Sequence, residues 1–257
     1  DLTRNRQVIV SPLPWTYLNV SSLPPAYDLR ALRGRDFTTP IRNQHSPQFC
    51  NACWAQATTS ALSDRLLLQS DGAWPMVELS SQVVINCASG SCAGGDPGDA
   101  YRFAYFSSIP DESCQAFVGK KKACDDVGIC MDCRRDGVCV AVDSYRRVSV
   151  LEYGEVQGVE NMKAEIYARG PITCFMVMTQ EFLEYESGVF VEHDHNYMGG
   201  HIVEVAGWGV TTSGQPYWIA RNNWGENWGE EGWFRINMGG SNLMIETSCS
   251  WGVPYLY

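Results

Sequence analysis

The chain has 257 residues, 45% apolar, 12% aromatic and 19% charged, enough for one sizeable core or two small ones and too apolar for a disordered chain. Nineteen Lys and Arg against 29 Asp and Glu leave a formal charge of −10, which argues against a nucleic acid partner held through its phosphates. Apolar runs such as Val83-Val84-Ile85 are short, and none approaches the roughly 20 residues that span a bilayer, so no membrane span is expected.

In chain order, residues 1 to about 25 read as an extended lead-in, because Pro12, Pro14, Pro24 and Pro25 each deny a helix. No charged n-region with an apolar stretch opens the chain, so any secretory signal is expected to have been removed already. The sequon Asn19-Val20-Ser21 marks Asn19 as a candidate glycosylation site. From Asn51 a helix is predicted: Trp54, Ala57 and Ala61, with Thr58, Leu62 and Leu66 one notch round, recur at helical spacing up to Gly72. Asn51 is the expected N-cap, which puts Cys53 in the first turn, where orphan N–H groups and the dipole favour a thiolate. Further helices are predicted over 81–87 and over 159–168, the second stopped by Gly170-Pro171. The Gly-, Asp- and Cys-rich stretch from Gly90 to Cys139 reads as loop stapled by disulfides. Strands follow at 172–178, 189–192, 201–210, 217–221 and 233–237, between Gly-bearing turns. Helices followed by strands indicate an α+β chain, or two unlike subdomains that meet at a cleft.

Eleven cysteines imply an oxidising compartment and leave one thiol over from five bridges. Cys50-Asn51-Ala52-Cys53-Trp54 admits three readings: a redox pair, half a zinc site completed by Cys130-x-x-Cys133, or a bridge cysteine beside a nucleophile. The zinc reading leaves seven other cysteines unexplained, and no metal or other cofactor is expected. A nucleophilic cysteine needs an imidazole to take its proton and a third group to hold that imidazole. Of four histidines, His193 and His195 lie in a polar turn. His201 instead opens the apolar run Ile202-Val203-Glu204-Val205-Ala206, and the next strand ends in Arg221-Asn222-Asn223-Trp224-Gly225. An Asn side-chain carbonyl can accept from an imidazole N–H, and a Trp beside it would keep water off that bond.

These motifs resemble the papain-like cysteine proteases, and within them the cathepsin X-like (Z-like) subfamily, from about Leu23 to Pro254. The resemblance rests on the Gln44 to Trp54 block, Asn86-Cys87, Cys92-x-Gly94-Gly95, His201 with Gly207-Trp208-Gly209, and Arg221-Asn222-x-Trp224-Gly225. It implies a two-subdomain fold with a helical left half (about 41–145) and a β-barrel-like right half (about 146–257), making a peptidase domain of 23–257. Residues 1–22 would then be a pro-segment or its remnant, able to mask the cleft by burying Val8, Ile9 and Val10. It also implies Cys53 as nucleophile, His201 as its imidazolium partner in a standing ion pair, Asn222 as orienter and Gln44 as oxyanion donor. Gly94, Gly95 and Trp224 would bind substrate.

By the same resemblance the bridges are Cys50–Cys92, Cys87–Cys124, Cys114–Cys130, Cys133–Cys139 and Cys174–Cys249. The chain departs from the family pattern at Asn51-Ala52, where Gly-Ser is usual, and at Asn223, where Ser is usual; both bring unfamiliar side chains near the site. Nine positions separate Gln44 from Cys53, where most of the family has six, and the added His45-Ser46-Pro47 resembles the mini-loop of carboxypeptidases. His45 is therefore the candidate cation for a substrate carboxylate. The expected function is removal of single C-terminal residues from peptides or proteins with a free C-terminus, by a lysosomal or secreted monomer open to protein inhibitors. The alternatives are an endopeptidase whose His45 loop swings aside, and a disulfide-stapled binding protein that has lost activity.

Overall fold

The computed structural model describes residues 7–256. Its helices are α1 Cys53–Gln69, α2 Ser81–Cys87, α3 Pro97–Ser107, α4 Asp126–Ile129, α5 Val159–Arg169 and α6 Gln180–Leu183. Its strands are β1 Tyr27–Asp28, β2 Gly90–Ser91, β3 Gly94–Gly95, β4 Ile109–Pro110, β5 Met131–Cys133, β6 Cys139–Ala141, β7 Arg147–Val156, β8 Ile172–Met178, β9 Val189–Phe190, β10 Gly199–Val210, β11 Pro216–Arg221, β12 Trp233–Asn237 and β13 Cys249–Leu256. One mostly antiparallel sheet runs in the order β4-β7-β13-β8-β10-β11-β12-β9, with β1 added on β10. The described strands form an open path rather than a closed barrel.

α1 is buried from Trp54 to Leu67, polar residues included, because α2 and α3 pack on it as well as strands β8, β10 and β13. Three of its hydroxyls are satisfied on the helix itself: those of Thr58, Thr59 and Ser63 donate to carbonyls one turn back. One core cluster joins Trp54, Leu62, Val84, Tyr101 and Val150 around α1, and another joins Met162, Ile172, Phe182, Trp218 and Phe234 around the sheet. The cleft opens where the N-terminus of α1 faces β10.

Several local expectations need correction. Ala52, without a side-chain bond, is the N-cap of α1, and Asn51 stands one residue before it with its N–H donating to the Cys92 carbonyl at 3.0 Å. The stretch from Gly90 to Cys139 is not all loop, because α3 starts there on Asp96, whose side chain accepts from Gly98 N at 2.7 Å, with Pro97 in the first turn. β7 and β13 also escape the sequence pattern. β7 is buried at most positions on both faces, so no alternation shows, and β13 carries Gly252 and Pro254 with a register shift between Val253 and Pro254. β8 and β12 have the expected bounds, β10 starts two residues early at Gly199, and β9 stops at Phe190.

The bridges are Cys50–Cys92, Cys87–Cys124, Cys114–Cys130, Cys133–Cys139 and Cys174–Cys249, and Cys53 is free. Neither C-x-x-C is therefore a dithiol, which removes the redox and zinc readings. The lead-in does not bury Ile9 and Val10, which are 40% and 73% exposed. Val8 instead pairs with Tyr153 of β7, Glu152 accepts from the Val10 and Ser11 N–H groups, and Arg169 of α5 donates to the Pro12 carbonyl. No residue of 7–22 lines the cleft; residues 1–6 lie outside the described residues. Asn19 is exposed, its side-chain oxygen accepting from Ser21 N.

Candidate active site

Cys53 is the first residue of α1, where helical N–H groups lack partners inside the helix. Burial pushes its thiol pKa up; N–H groups of Ile202, Trp54 and Cys53 itself pull the other way by stabilising a thiolate. His201, 2% exposed, stands on β10 opposite Met176 of β8. Its Nε2 lies 2.8 Å from Asn222 Oδ1, just past the end of β11. An amide oxygen only accepts, so this bond fixes the proton on Nε2 and leaves Nδ1 for chemistry. Trp224 stacks on the imidazole at 4.7 Å and covers the bond. Burial pushes the His201 pKa down to about 4, against the Asn222 bond, and the His45 charge lowers it further.

Taken singly, burial favours the neutral form of the Cys53 thiol and of the His201 imidazole, and a charged pair differs from that state by one proton moved between them, with no net charge entering the site.

Cys53 and His201 line one cavity of about 540 Å³ together with Gln44, His45, Gly94, Gly95 and Trp224. All the expected site side chains except that of Asn222, which acts from behind His201, meet there. On one wall, β2 and β3 pair Ser91 with Gly94 and Gly90 with Gly95. A Cβ on Gly95 would lie 2.5 Å from the Trp54 ring, and Gly94 has φ +125°, so this wall is glycine for reasons of space and conformation. On the other side the Gln44 N–H donates to the Asn223 carbonyl, and Asn223 Nδ2 donates to the Ile202 carbonyl. Asn223 thus ties the Gln44 loop to the His201 strand and does not line the cavity, whereas Asn51 does.

His45 packs between Phe49, at 5.0 Å and 10°, and Trp224, at 6.1 Å and 22°. Partial burial there moves its pKa below the usual imidazole value. Its Nε2 is 3.3 Å from Gln44 Nε2, a contact that holds while the imidazole is neutral and can accept. Protonation turns it into donor against donor and frees the Gln44 amide. His193 and His195 are exposed beside Glu181 and Glu192. Phe49, Phe175, Met178 and Leu183 also line the cavity and were not anticipated. Phe49 was within reach, four residues past His45 in the inserted loop; the others take their place from the sheet and α6.

A profile of papain family cysteine proteases matches residues 23–253, 231 of the 257. The chain belongs to that family. It is 42% identical to "Cathepsin Z" of Onchocerca volvulus over 245 residues, covering 92% of this chain and 79% of the relative. It is 31% identical to "Cathepsin B-like cysteine proteinase 4" of Caenorhabditis elegans over 262 residues, covering 92% and 77%. Among solved structures, procathepsin B S9 of Trypanosoma congolense matches with a TM-score of 0.77 at 25% identity, over 96% of this chain and 82% of that one. Procathepsin L 3 of Tenebrio molitor has the same fold, with a TM-score of 0.71 at 24% identity over 91% and 72%. The protein is thus a papain-type cysteine peptidase of the cathepsin X/Z kind, acting on peptide or protein substrates. No helix among the described residues is long and apolar enough to cross a membrane.

Proposed function

We propose that this peptidase is a carboxypeptidase that removes single C-terminal residues through an acyl-enzyme on Cys53. The observation that carries the reading is the composition of the cavity. Among the described residues no Lys or Arg lines it, and its one imidazole besides the buried, Asn-paired His201 is His45. A substrate carboxylate entering this site has His45 as its cation. In the reaction, Cys53 passes its proton to His201 Nδ1 and its sulfur attacks the carbonyl carbon of the last peptide bond. The backbone N–H of Cys53 and the Gln44 amide receive the oxyanion, and His201 returns the proton to the leaving amino acid. Water activated by His201 then releases the shortened chain. The 42% identity to a cathepsin Z supports the reading, as it does a lysosomal or secreted setting. Residues 1–22 precede the family match, and the docking of residues 8–12 on β7 and α5 supports an appendage of the peptidase domain rather than a plug in its cleft.

The test is a peptide pair that differs only in a free or an amidated C-terminus. A charge-assisted hydrogen bond is worth about 1.5–3 kcal/mol, so kcat/KM should favour the free acid by roughly 10- to 150-fold. Equal rates would make the enzyme an endopeptidase. Absence of turnover together with no labelling of Cys53 by a thiol-directed inhibitor would favour the binding-protein reading.

The buried His201 also fixes a pH expectation. Above its pKa the imidazole is neutral and can take the Cys53 proton; below it the proton has nowhere to go. Alkylation of Cys53 should therefore rise through about pH 4. A limb near the ordinary imidazole value of about 6.5 would mean that water reaches His201.

A further inference from the structure

Four rings stand in one column across the cleft: Phe49 on His45, His45 on Trp224, and Trp224 on His201. Three of them have evident work, and Phe49 does not. It is 68% exposed and makes its one aromatic contact among the described residues with His45. The loop that carries it is held along its length. The His45 N–H donates to Asn43 Oδ1 at 2.9 Å, Gln48 Nε2 donates to the Val118 carbonyl at 2.8 Å, and the next residue, Cys50, is bridged to Cys92. Phe49 is thus kept over His45 by its neighbours rather than by a pocket of its own.

With Phe49 on one face and Trp224 on the other, only the edge of the His45 ring, with its nitrogens, is left for a ligand. An aromatic face carries partial negative charge and attracts a cation stacked on it. We propose that Phe49 is a positioning residue for C-terminal carboxylate capture, holding the His45 ring edge toward the substrate and favouring its protonated form. The inference rests on His45 being the carboxylate anchor. The groups facing His45 are the Gln44 amide and Phe49 from its own loop and Trp224 from the segment after β11. The titratable groups that line the cavity with it are Cys53 and His201, the latter beyond Trp224, and no carboxylate among the described residues lines it. The ring faces of Phe49 and Trp224 then offer the protonated ring partial negative charge.

Phe49 also excludes water, which works against protonation, so the informative variant keeps the cover and removes the π face. Histidine ring signals can be titrated by NMR in the full chain carrying Cys53→Ala to prevent self-digestion. The chain has four histidines, and His45→Ala assigns the signal. Phe49→Leu should lower the His45 pKa by about half a unit, and Phe49→Tyr should restore it. In the active enzyme Phe49→Leu should cut the preference for free acids about two- to five-fold near the His45 pKa, mainly through KM. An unchanged or raised His45 titration in Phe49→Leu, or a failure of Phe49→Tyr to restore it, overturns the proposal. A His45 that responds to Phe49 in an enzyme with no free-acid preference overturns the carboxylate role instead, so the two failures read differently.

Discussion

Replacing His45 with alanine is expected to reduce the preference for free C-terminal acids over amides by roughly 10- to 150-fold, while a thiol-directed inhibitor still labels Cys53. The separation follows from geometry: His45 sits on the inserted loop against Trp224 and Phe49, and the His201–Asn222 bond does not involve it. The pH dependence has a definite sign. His45 must be protonated to hold a carboxylate, and partial burial moves its pKa below the usual imidazole value of about 6.5, so the preference should fade as pH rises through mildly acidic values. Protonation also releases the Gln44 amide for the oxyanion, so anchor and oxyanion donor become available together. On the acid side, removing the His45 charge should raise the His201 pKa and move the acid limb of Cys53 alkylation upward from about pH 4. A variant that keeps the full free-acid preference, measured on the same peptide pair, would place the anchor elsewhere.

Arg221→Leu should lower stability more than any change within the cleft. The Arg221 guanidinium is buried between Asp64 of α1 and Glu204 of β10, with 2.6 Å contacts to each, and donates to the Thr39 carbonyl at 2.6 Å. Asp64 also accepts from the Thr39 N–H and hydroxyl. This cluster ties the central helix to the strand that carries His201. Removing the cation leaves the acid groups of Asp64 and Glu204 facing each other out of water without their shared partner, a loss of about 3–5 kcal/mol. For a chain of this size that is a fall in Tm of ~6–20 °C, measurable by calorimetry. Two acids share one cation here, and burial holds the Glu204 carboxyl well above its ordinary range. A folded state that keeps a proton the unfolded chain releases is stabilised in acid. That contribution is lost as pH rises from the ordinary Glu value through the raised one. Glu204→Gln should flatten the dependence. If Tm is independent of pH in both the parent and Glu204→Gln, Glu204 is ionised in the fold.

Much of this protein was legible in its residues because the signals were local. The Cys53 helix, strands β8 and β12 and the stop at Gly170-Pro171 each follow from a period or a punctuating residue within a dozen positions. The Cys–His–Asn set was legible for a related reason: each member sits at the edge of a readable element, Cys53 at a helix start, His201 near a strand start and Asn222 just past a strand end. Helix α3 could have been read from Asp96-Pro97 but was hidden among glycines and cysteines. β7 and β13 could not, because burial on both faces erases the alternation that marks a strand.

Sequence alone determined the chemistry on offer: one thiol left over from ten other cysteines, an imidazole at a strand start, an amide 21 positions further on and a histidine in an inserted loop. Tertiary structure decided what those groups do to one another. It buried His201 under Trp224, stacked His45 between Phe49 and Trp224, and laid residues 8–12 of the lead-in along β7 and α5 instead of across the cleft. The physical reason is that residue type and spacing are properties of the chain, whereas desolvation, ring stacking and the sharing of a proton depend on which distant segments meet. Residues 45, 53 and 201 acquire their shifted pKa values, and residue 224 its ring partners, only when the loop before α1 closes against β10 and the turn after β11.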